Sequence, residues 1–464
     1  MKEKGVAHMT PPSLFKSPKL WSSGTLVYTS GGLILLFFWL LWGDFAWSMR
    51  DRCIPPTVQL LFKRYGASDT LVGILFSSLP AAAGLVLGPI IGYKSDRFRS
   101  RWGRRIPFLA IPTPIILLSI VGLAFAPRLG GFVSHFFGVF IPDSDSGILV
   151  VLVAFWTLFE IACVAANSIF GALVNDIVPQ DIIGRFFGLF RALSLVAGIF
   201  VNCWIMGKAE SHYVPIFLGV GLLYGAGFSL MCLKVKEGEY PPPPEPPAKR
   251  KAGKSVDAIR SYFQDSFSHP YYLLLFVASL FCITAIAPFN IYSVFYAKSL
   301  GMSLDVYFKY LAITYGISLA LSYPLGALVD RYHPLRVSLI VAVLYGIIMV
   351  CGILYVKNTF SFAVILIAHG VVSGSYITAS ASLGQRLLPQ AKFAELASAG
   401  GILGSLAGIL LPPLIGAFLD HTHHAYRHVF DVGLGLSIVG VIFGLLLYRR
   451  FLALGGPHHY RAPE

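Results

Sequence analysis

The sequence predicts an all-α membrane protein: twelve transmembrane helices in two pseudo-symmetric six-helix bundles. Three observations carry this. First, the 464 residues are 56% hydrophobic and only 12% charged, with a mean hydropathy of +0.72. A soluble domain carries about 25% charged residues. Second, the apolar residues gather in blocks of roughly 20, the length that crosses about 30 Å of hydrocarbon. Such blocks read as helices, because a spanning helix satisfies its own backbone hydrogen bonds. Third, the second half of the chain echoes the first.

The first six blocks cover about 26–49, 69–93, 107–127, 148–173, 186–206 and 214–233. The second six cover about 271–295, 306–329, 337–356, 360–385, 396–419 and 431–451. The chain then divides into an N-terminal tail (1–25), a bundle (26–233), a linker (234–270), a second bundle (271–451) and a C-terminal tail (452–464). The linker holds "PPPPEPP" at 241–247 and "KRKAGK" at 249–254. Its prolines favour an extended, semi-rigid form. "SVDAIRSYFQDSF" after it reads as a short helix on the membrane surface. The opening "MKEKGVAHMTPPSLFKSPKL" is polar, so no secretory leader is expected.

The net charge of +14 sits in the loops, which points to topology rather than to nucleic acid. With both termini inside, 25 Lys and Arg fall on the inner side. Ten fall outside: Arg50, Arg52, Lys63, Arg64, Arg128, Lys208, Lys298, Lys309, Lys357 and Arg427. The remaining one of the 36, Arg191, is read as lying inside a span. The positive-inside rule then places both termini and the linker in the cytoplasm, and the protein in the cytoplasmic membrane. The six cysteines lack metal-ligand spacing and read as small packing residues. "HTHHAYRH" (421–428) invites a zinc reading, but no Cys or acid completes it, and a solvated loop is expected.

The internal echo is specific. Spans two and three are joined by "GYKSDRFRSRWGRR", and spans eight and nine by "GALVDRYHPLR". Both share Gly-x-x-x-Asp-Arg, at Gly92–Arg97 and Gly326–Arg331. "IVPQ" (177–180) and "LLPQ" (387–390) lie at the matching joints after spans four and ten. A six-plus-six repeat marks many secondary transporters, with cargo held near the midplane between the repeats.

The joint at 92–105 resembles the signature of the major facilitator superfamily. Its longer form, "SDRFRSRWGRR" followed by Ile106, Pro107 and Phe108, is similar to the sugar–cation symporter branch, which includes plant sucrose–proton symporters and bacterial glycoside symporters. "DFAWSM" (44–49) leading to "PPTVQLL" (55–61) is similar to that branch's first span. "FEIACVAANSIFGALVND" (159–176) is similar to its fourth, and "FFGLFRALSLVAG" (186–198) to its fifth. The resemblance implies the major facilitator fold and proton-coupled uptake of a neutral sugar or glycoside. It implies coupling roles for Glu160 and Arg191, with Glu standing where the plant family has Asp. It also implies that Gly92, Asp96, Arg97, Gly103, Arg104 and Arg105, with Asp330 and Arg331 in the other half, latch an inward gate. An acid favours a helix N-terminus, and Arg forks suit bidentate pairing.

Charges inside the membrane are costly and usually face a cavity. Glu160 lies near the middle of span four, on one face with Trp156 and Asn167 by the four- and seven-residue spacings. A carboxylate can bond sugar hydroxyls or exchange a proton, and a Trp ring can cover a pyranose. The alternative is a packing acid bonded to a neighbouring helix. Asp44 reads as lying toward the outer third of span one, sharing a face with Trp47. It is either a proton or sugar contact or an interfacial acid paired with Arg50 or Arg52. Arg191 either pairs with Glu160 or snorkels to the inner surface, the two Cα atoms differing in depth by about 12 Å at 1.5 Å per residue. In the second half, Asn290, Tyr296, Tyr315, His369 and Tyr376 offer the amides, rings and hydroxyls that a polyol needs. The same groups also serve as helix-packing glue. No cofactor is expected beyond the coupling proton, with sodium as the alternative ion. The expected partners are a small sugar and the bilayer, with no nucleic acid, and the protein is expected to be a monomer. No nucleophile–base pair or phosphate-binding loop suggests an enzyme. The rivals are another small polar solute or a non-transporting sugar receptor.

Overall fold

The computed structural model describes residues 20–136, 143–179, 182–240, 264, 267–389 and 393–463. Among them are twelve helices long and apolar enough to cross a membrane. The first six are α1 (Ser30–Arg64), α2 (Asp69–Arg97), α3 (Ile106–Ala124), α4 (Ser144–Ile177), α5 (Phe186–Trp204) and α6 (Tyr213–Lys234). The second six are α7 (Pro270–Ser299), α8 (Leu304–Tyr332), α9 (Pro334–Tyr355), α10 (Thr359–Leu387), α11 (Leu396–His421) and α12 (His428–Ala453). Several begin at side-chain caps that satisfy orphan N–H groups. Thr29 caps α1, Ser68 α2, Asp143 α4 and Ser303 α8, and Asn358 forms a capping box with Ser361 at α10.

The two halves pack by one scheme. α1 touches α5 and α6, α2 touches α4, and α3 touches α4 and α6. Each contact recurs six helices later: α7 with α11 and α12, α8 with α10, and α9 with α10 and α12. The halves meet along two seams, α2 against α11 and α5 against α8. The two ends of the molecule are therefore distinct. The "terminal end" carries Leu20 and Pro463, the first and last described residues, the basic joint and the facing ends of α6 and α7 at Lys234 and Pro270. The opposite end is called the far end.

Three sequence expectations need correction. Span one does not stop at residue 49. α1 runs 35 residues, through Arg50, Asp51 and Arg52 and through Pro55 and Pro56, to Arg64. Arg50 and Arg52 are thus not outer-loop cations, which leaves eight in that tally and strengthens the charge bias. Span one also begins later than about residue 26: Trp21–Ser23 and Leu26–Tyr28 pair as an antiparallel hairpin, β1 and β2, and α1 starts at Ser30. The hairpin's Ser23 hydroxyl donates to the Asp176 carbonyl at 2.9 Å. A further helix, Ala126–Phe136, follows α3. The motifs at 241–247 and 249–254, almost all of the 255–267 segment, and Gln180 and Gln390 of the paired joints lie outside the described residues.

Candidate functional site

A cavity of about 610 Å³ lies between the halves, within the size range of small-ligand sites. α1 and α5 contribute Arg52, Arg191 and Ser194 to its wall. α7, α8 and α10 contribute Asn290, Ser293, Tyr307, Thr314, Tyr315, His369 and Ser373. Most of these groups are tied to one another. Arg52 donates to the Tyr315 hydroxyl at 2.8 Å and to Ser194 Oγ at 3.5 Å. Its guanidinium also lies 4.8 Å from the centre of the Tyr315 ring. Gly198 allows this approach, since a Cβ there would sit 2.9 Å from that ring. His369 contacts Asn290 Oδ1 through Nε2 at 3.0 Å and the Tyr345 hydroxyl through Nδ1 at 3.2 Å. Ser293 and Tyr307 hydroxyls share a 2.8 Å bond.

Arg191 does not pair with Glu160. It faces the second half and donates to Thr378 Oγ1 at 3.2 Å. Glu160 lies within electrostatic reach of a different cation, Arg50, and of Asp51. Arg50 is 1% exposed, a full charge inside the first bundle. Its guanidinium lies 3.8 Å from the centre of the Trp47 ring, 5.1 Å from Tyr224 and 5.4 Å from Phe159. It donates to Cys163 Sγ at 3.0 Å and pairs with Asp51 at 2.5 Å. Cation–π contact and a charged hydrogen bond offset the cost of burial. Asp44 sits in the body of α1, not near its outer end. It is 2% exposed, with Oδ2 lacking a hydrogen-bond partner.

The other expected residues divide. Asn290, Tyr315, His369 and Arg191 line the cavity. Trp47 supports Arg50 instead. Trp156 is fully buried among Phe76 and Phe159, its indole N–H donating to the Leu75 carbonyl at 3.0 Å. Tyr296 packs on Phe362 and Phe430, and Tyr376 is buried beside Cys282. Asn167 is exposed on α4, outside the cavity wall. Helical spacing put Trp156, Glu160 and Asn167 on one stripe, but that stripe turns toward different neighbours along its length.

The halves are bonded to each other at the far end. Asp420, at the end of α11, accepts from the Asp69 and Thr70 N–H groups at 2.7 and 2.8 Å and from Thr70 Oγ1 at 2.6 Å. One half's carboxylate thus caps the other half's helix α2. Asp69 is fully buried, paired with Lys63 at 2.6 Å and with His424 Nδ1 at 2.6 Å. The Tyr292 hydroxyl donates to the Asp69 carbonyl at 3.0 Å. Small residues let the backbones meet: a Cβ on Gly416 would lie 2.4 Å from the Asp69 oxygen, and one on Gly73 2.5 Å from the Pro412 oxygen. His424 therefore belongs to this seam, not to a solvated loop. Asp69, Asp420 and His424 converge closely enough to suggest a metal site, but Asp420 already accepts three donors and a lysine ammonium occupies the group.

The basic joint is organised within its own half. Asp96 pairs with Arg105 at 2.6 Å. Arg104 and Arg105 share Asp176 at 2.8 and 3.0 Å. The N–H groups of Arg104, Arg105 and Ile106 donate to Glu237 at 3.0, 2.8 and 2.7 Å. So Glu237, not Asp96, caps α3. Gly103 adopts φ +103°, and a Cβ there would meet Glu237 at 2.4 Å. Arg97 stacks on Tyr93 at 3.7 Å, and Gly92 faces open space. In the second half Asp330 pairs with Arg386 at 2.9 Å, and Arg331 lies over Tyr332. Among the described residues, no hydrogen bond or ion pair joins the halves nearer the terminal end than Arg191–Thr378. A hollow of about 820 Å³ beside the joint is walled partly by 235–240.

Sequence reasoning missed Arg50, Asp51, Arg52, Asp69, Asp420 and Glu237. The available signal was the apolar run from Cys53 to Phe62, which resumes directly after the charged triplet.

A family model described as Major Facilitator Superfamily matches residues 20–412. The chain is 29% identical over 118 residues to the sucrose transport protein SUT1 of Oryza sativa subsp. japonica. That stretch covers 25% of this chain and 21% of the relative, so the chain matches about a fifth of that protein's length. A D-xylose–proton symporter structure aligns over 90% of this chain and 96% of its own, at 17% identity and TM-score 0.59. A nucleoside transporter structure, NupG, aligns over 89% and 100%, at 14% identity and TM-score 0.64. With its twelve spans, two seams and central cavity, the chain belongs to the major facilitator superfamily.

Proposed function

We propose that this protein is a proton-coupled symporter that takes up a sugar or glycoside by alternating access. The amide and hydroxyl lining suits the uncharged ring of such a solute. The relative named as a sucrose transport protein and the fold match to a D-xylose–proton symporter support the same class. The observation that carries the reading is the placement of the charges. Arg50, Asp51, Glu160 and Asp44 lie together in the first half, beside a cavity whose far end is bonded across the halves and at whose terminal end no cross-half bond is seen among the described residues beyond Arg191–Thr378. With the terminal end in the cytoplasm, as the excess of Lys and Arg there supports, this is an inward-facing state in the cell membrane. Glu160 exchanges the coupling proton, Arg50 answers its charge, and rocking of the halves exposes the cavity to either side. Both halves of the site come from one chain, so a monomer suffices. A receptor would need no buried exchangeable acid. Sodium is the alternative ion.

The test is Glu160→Gln in proteoliposomes. Expected is loss of accumulation driven by a pH gradient, with exchange of labelled sugar retained. A mutant that concentrates sugar as well as the parent refutes the coupling role. Dependence on a sodium gradient alone would reassign the ion.

A further inference from the structure

We infer that the cargo carries an oxyanion, a carboxylate or a phosphate, on its sugar-sized frame. The inference rests on the reading of the central cavity as the cargo site. Arg52 and Arg191 both line this cavity, from α1 and α5. Their partners are neutral: Tyr315 and Ser194 for Arg52, Thr378 for Arg191. Among the described residues, neither arginine forms an ion pair, and no carboxylate lines the wall. The nearest acid in sequence, Asp51, is paired with Arg50. Glu160 does not reach the wall and lies by Arg50. Asp44 is buried inside the first half. The third basic side chain on the wall, His369, has both ring nitrogens engaged by Tyr345 and Asn290.

Two guanidiniums on the wall of a cavity between membrane-spanning helices, without an ion pair among the described residues, mark a cargo pathway. A neutral sugar would leave that charge unanswered. The planar fork of Arg matches a carboxylate or phosphate with two parallel hydrogen bonds, which a hydroxyl cannot offer. A cavity with low-dielectric walls also concentrates anions. There is a mechanical consequence. Both arginines belong to the first half, while Tyr315 and Thr378 belong to the second. An arriving oxyanion competes for the guanidiniums and loosens two bridges between the halves, so cargo binding itself eases the rocking. There is also an electrical one. A monoanion moving with one proton carries no net charge, whereas a neutral sugar with one proton carries +1.

The experiment compares glucose, glucuronate and glucose 6-phosphate on the purified full chain in liposomes. Binding is read by intrinsic fluorescence and movement by counterflow. At least one acid is expected to bind ten times more tightly than glucose. The glucuronate arm identifies a carboxylate and the glucose 6-phosphate arm a phosphate. Arg52→Gln and Arg191→Gln should each erase that advantage, weakening binding of the preferred acid at least tenfold. Arg52→Lys, which keeps the charge without the fork, should restore part of it and guards against misfolding. Uptake of glucuronate should be unmoved by an imposed potassium diffusion potential. Glucose transported as well as both acids, in a potential-dependent way, would overturn the oxyanion and leave the sugar symporter standing. Movement of none of the three would overturn both.

Discussion

The two ends of the molecule are held by the same kinds of groups used in opposite ways. At the far end, carboxylate, lysine, histidine and tyrosine reach across the seam: Asp420 of the second half caps α2 of the first, and Asp69 gathers Lys63 and His424. At the terminal end, a richer supply of charge stays at home. Asp176 and Glu237 bind the arginines and α3 within the first half, and Arg386 binds Asp330 within the second. In this state, then, the far end sets how the halves sit. The basic joint makes one half rigid, so that it moves as a body.

The largest effect should follow from breaking the far end. Asp420→Ala removes three charge-assisted hydrogen bonds. Even one such bond is worth about 2 kcal/mol, which is roughly a thirtyfold shift in the balance of states. Spin-label distances across the far end should lengthen, and a cysteine placed at Ser293 should become reachable from that side. At the terminal end, Gly103→Ala should cost about 1–2 kcal/mol through backbone strain and displacement of Glu237. The expected readout is a lower melting temperature with far-end distances unchanged. A change in those distances would mean that the joint, too, sets the seam.

His333 offers a pH-dependent comparison between the joints. Burial, with Arg386 and Arg336 nearby, pushes its pKa from 6.5 down to about 4. The fold therefore favours the neutral ring. That contribution is intact above the unfolded value and is lost as pH falls from 6.5 toward 4. The residue holds φ +76° and caps α9, so His333→Asn, which tolerates both roles, should flatten this acid sensitivity in thermal melts. The smallest effect is expected for Asp96→Asn. Its pair with Arg105 is half exposed and worth under about 1 kcal/mol, and Arg105 keeps Asp176 and Ser95. A large shift toward a terminal-open state would restore Asp96 as the latch that the resemblance implied.

Much of this was legible beforehand because the membrane enforces it. Twelve apolar blocks had to become twelve helices, and the repeated Gly-x-x-x-Asp-Arg joints announced the doubling. Four of the expected residues, Arg191, Asn290, Tyr315 and His369, do line the cavity. The failure at α1 is instructive. Arg50-Asp51-Arg52 followed by two prolines reads as a loop, since charge and proline both end helices. The ring faces of Trp47, Tyr224 and Phe159, together with Cys163 and the paired Asp51, offset the burial of the first of those cations, and the rings and the thiol meet it only in the folded bundle. Trp156 erred the other way: a sugar-stacking ring in the sequence, it is spent on packing between α2 and α4.

By itself the sequence determined the number of spans, the doubling of the bundle and the side favoured by positive charge, because hydrocarbon thickness and backbone hydrogen bonding act on each segment alone. Which buried charges meet was decided only in three dimensions. Arg50 lies 110 residues from Glu160, and Asp69 lies 351 from Asp420. No local period encodes such a meeting. It depends on which helix each side chain faces once the bundles close.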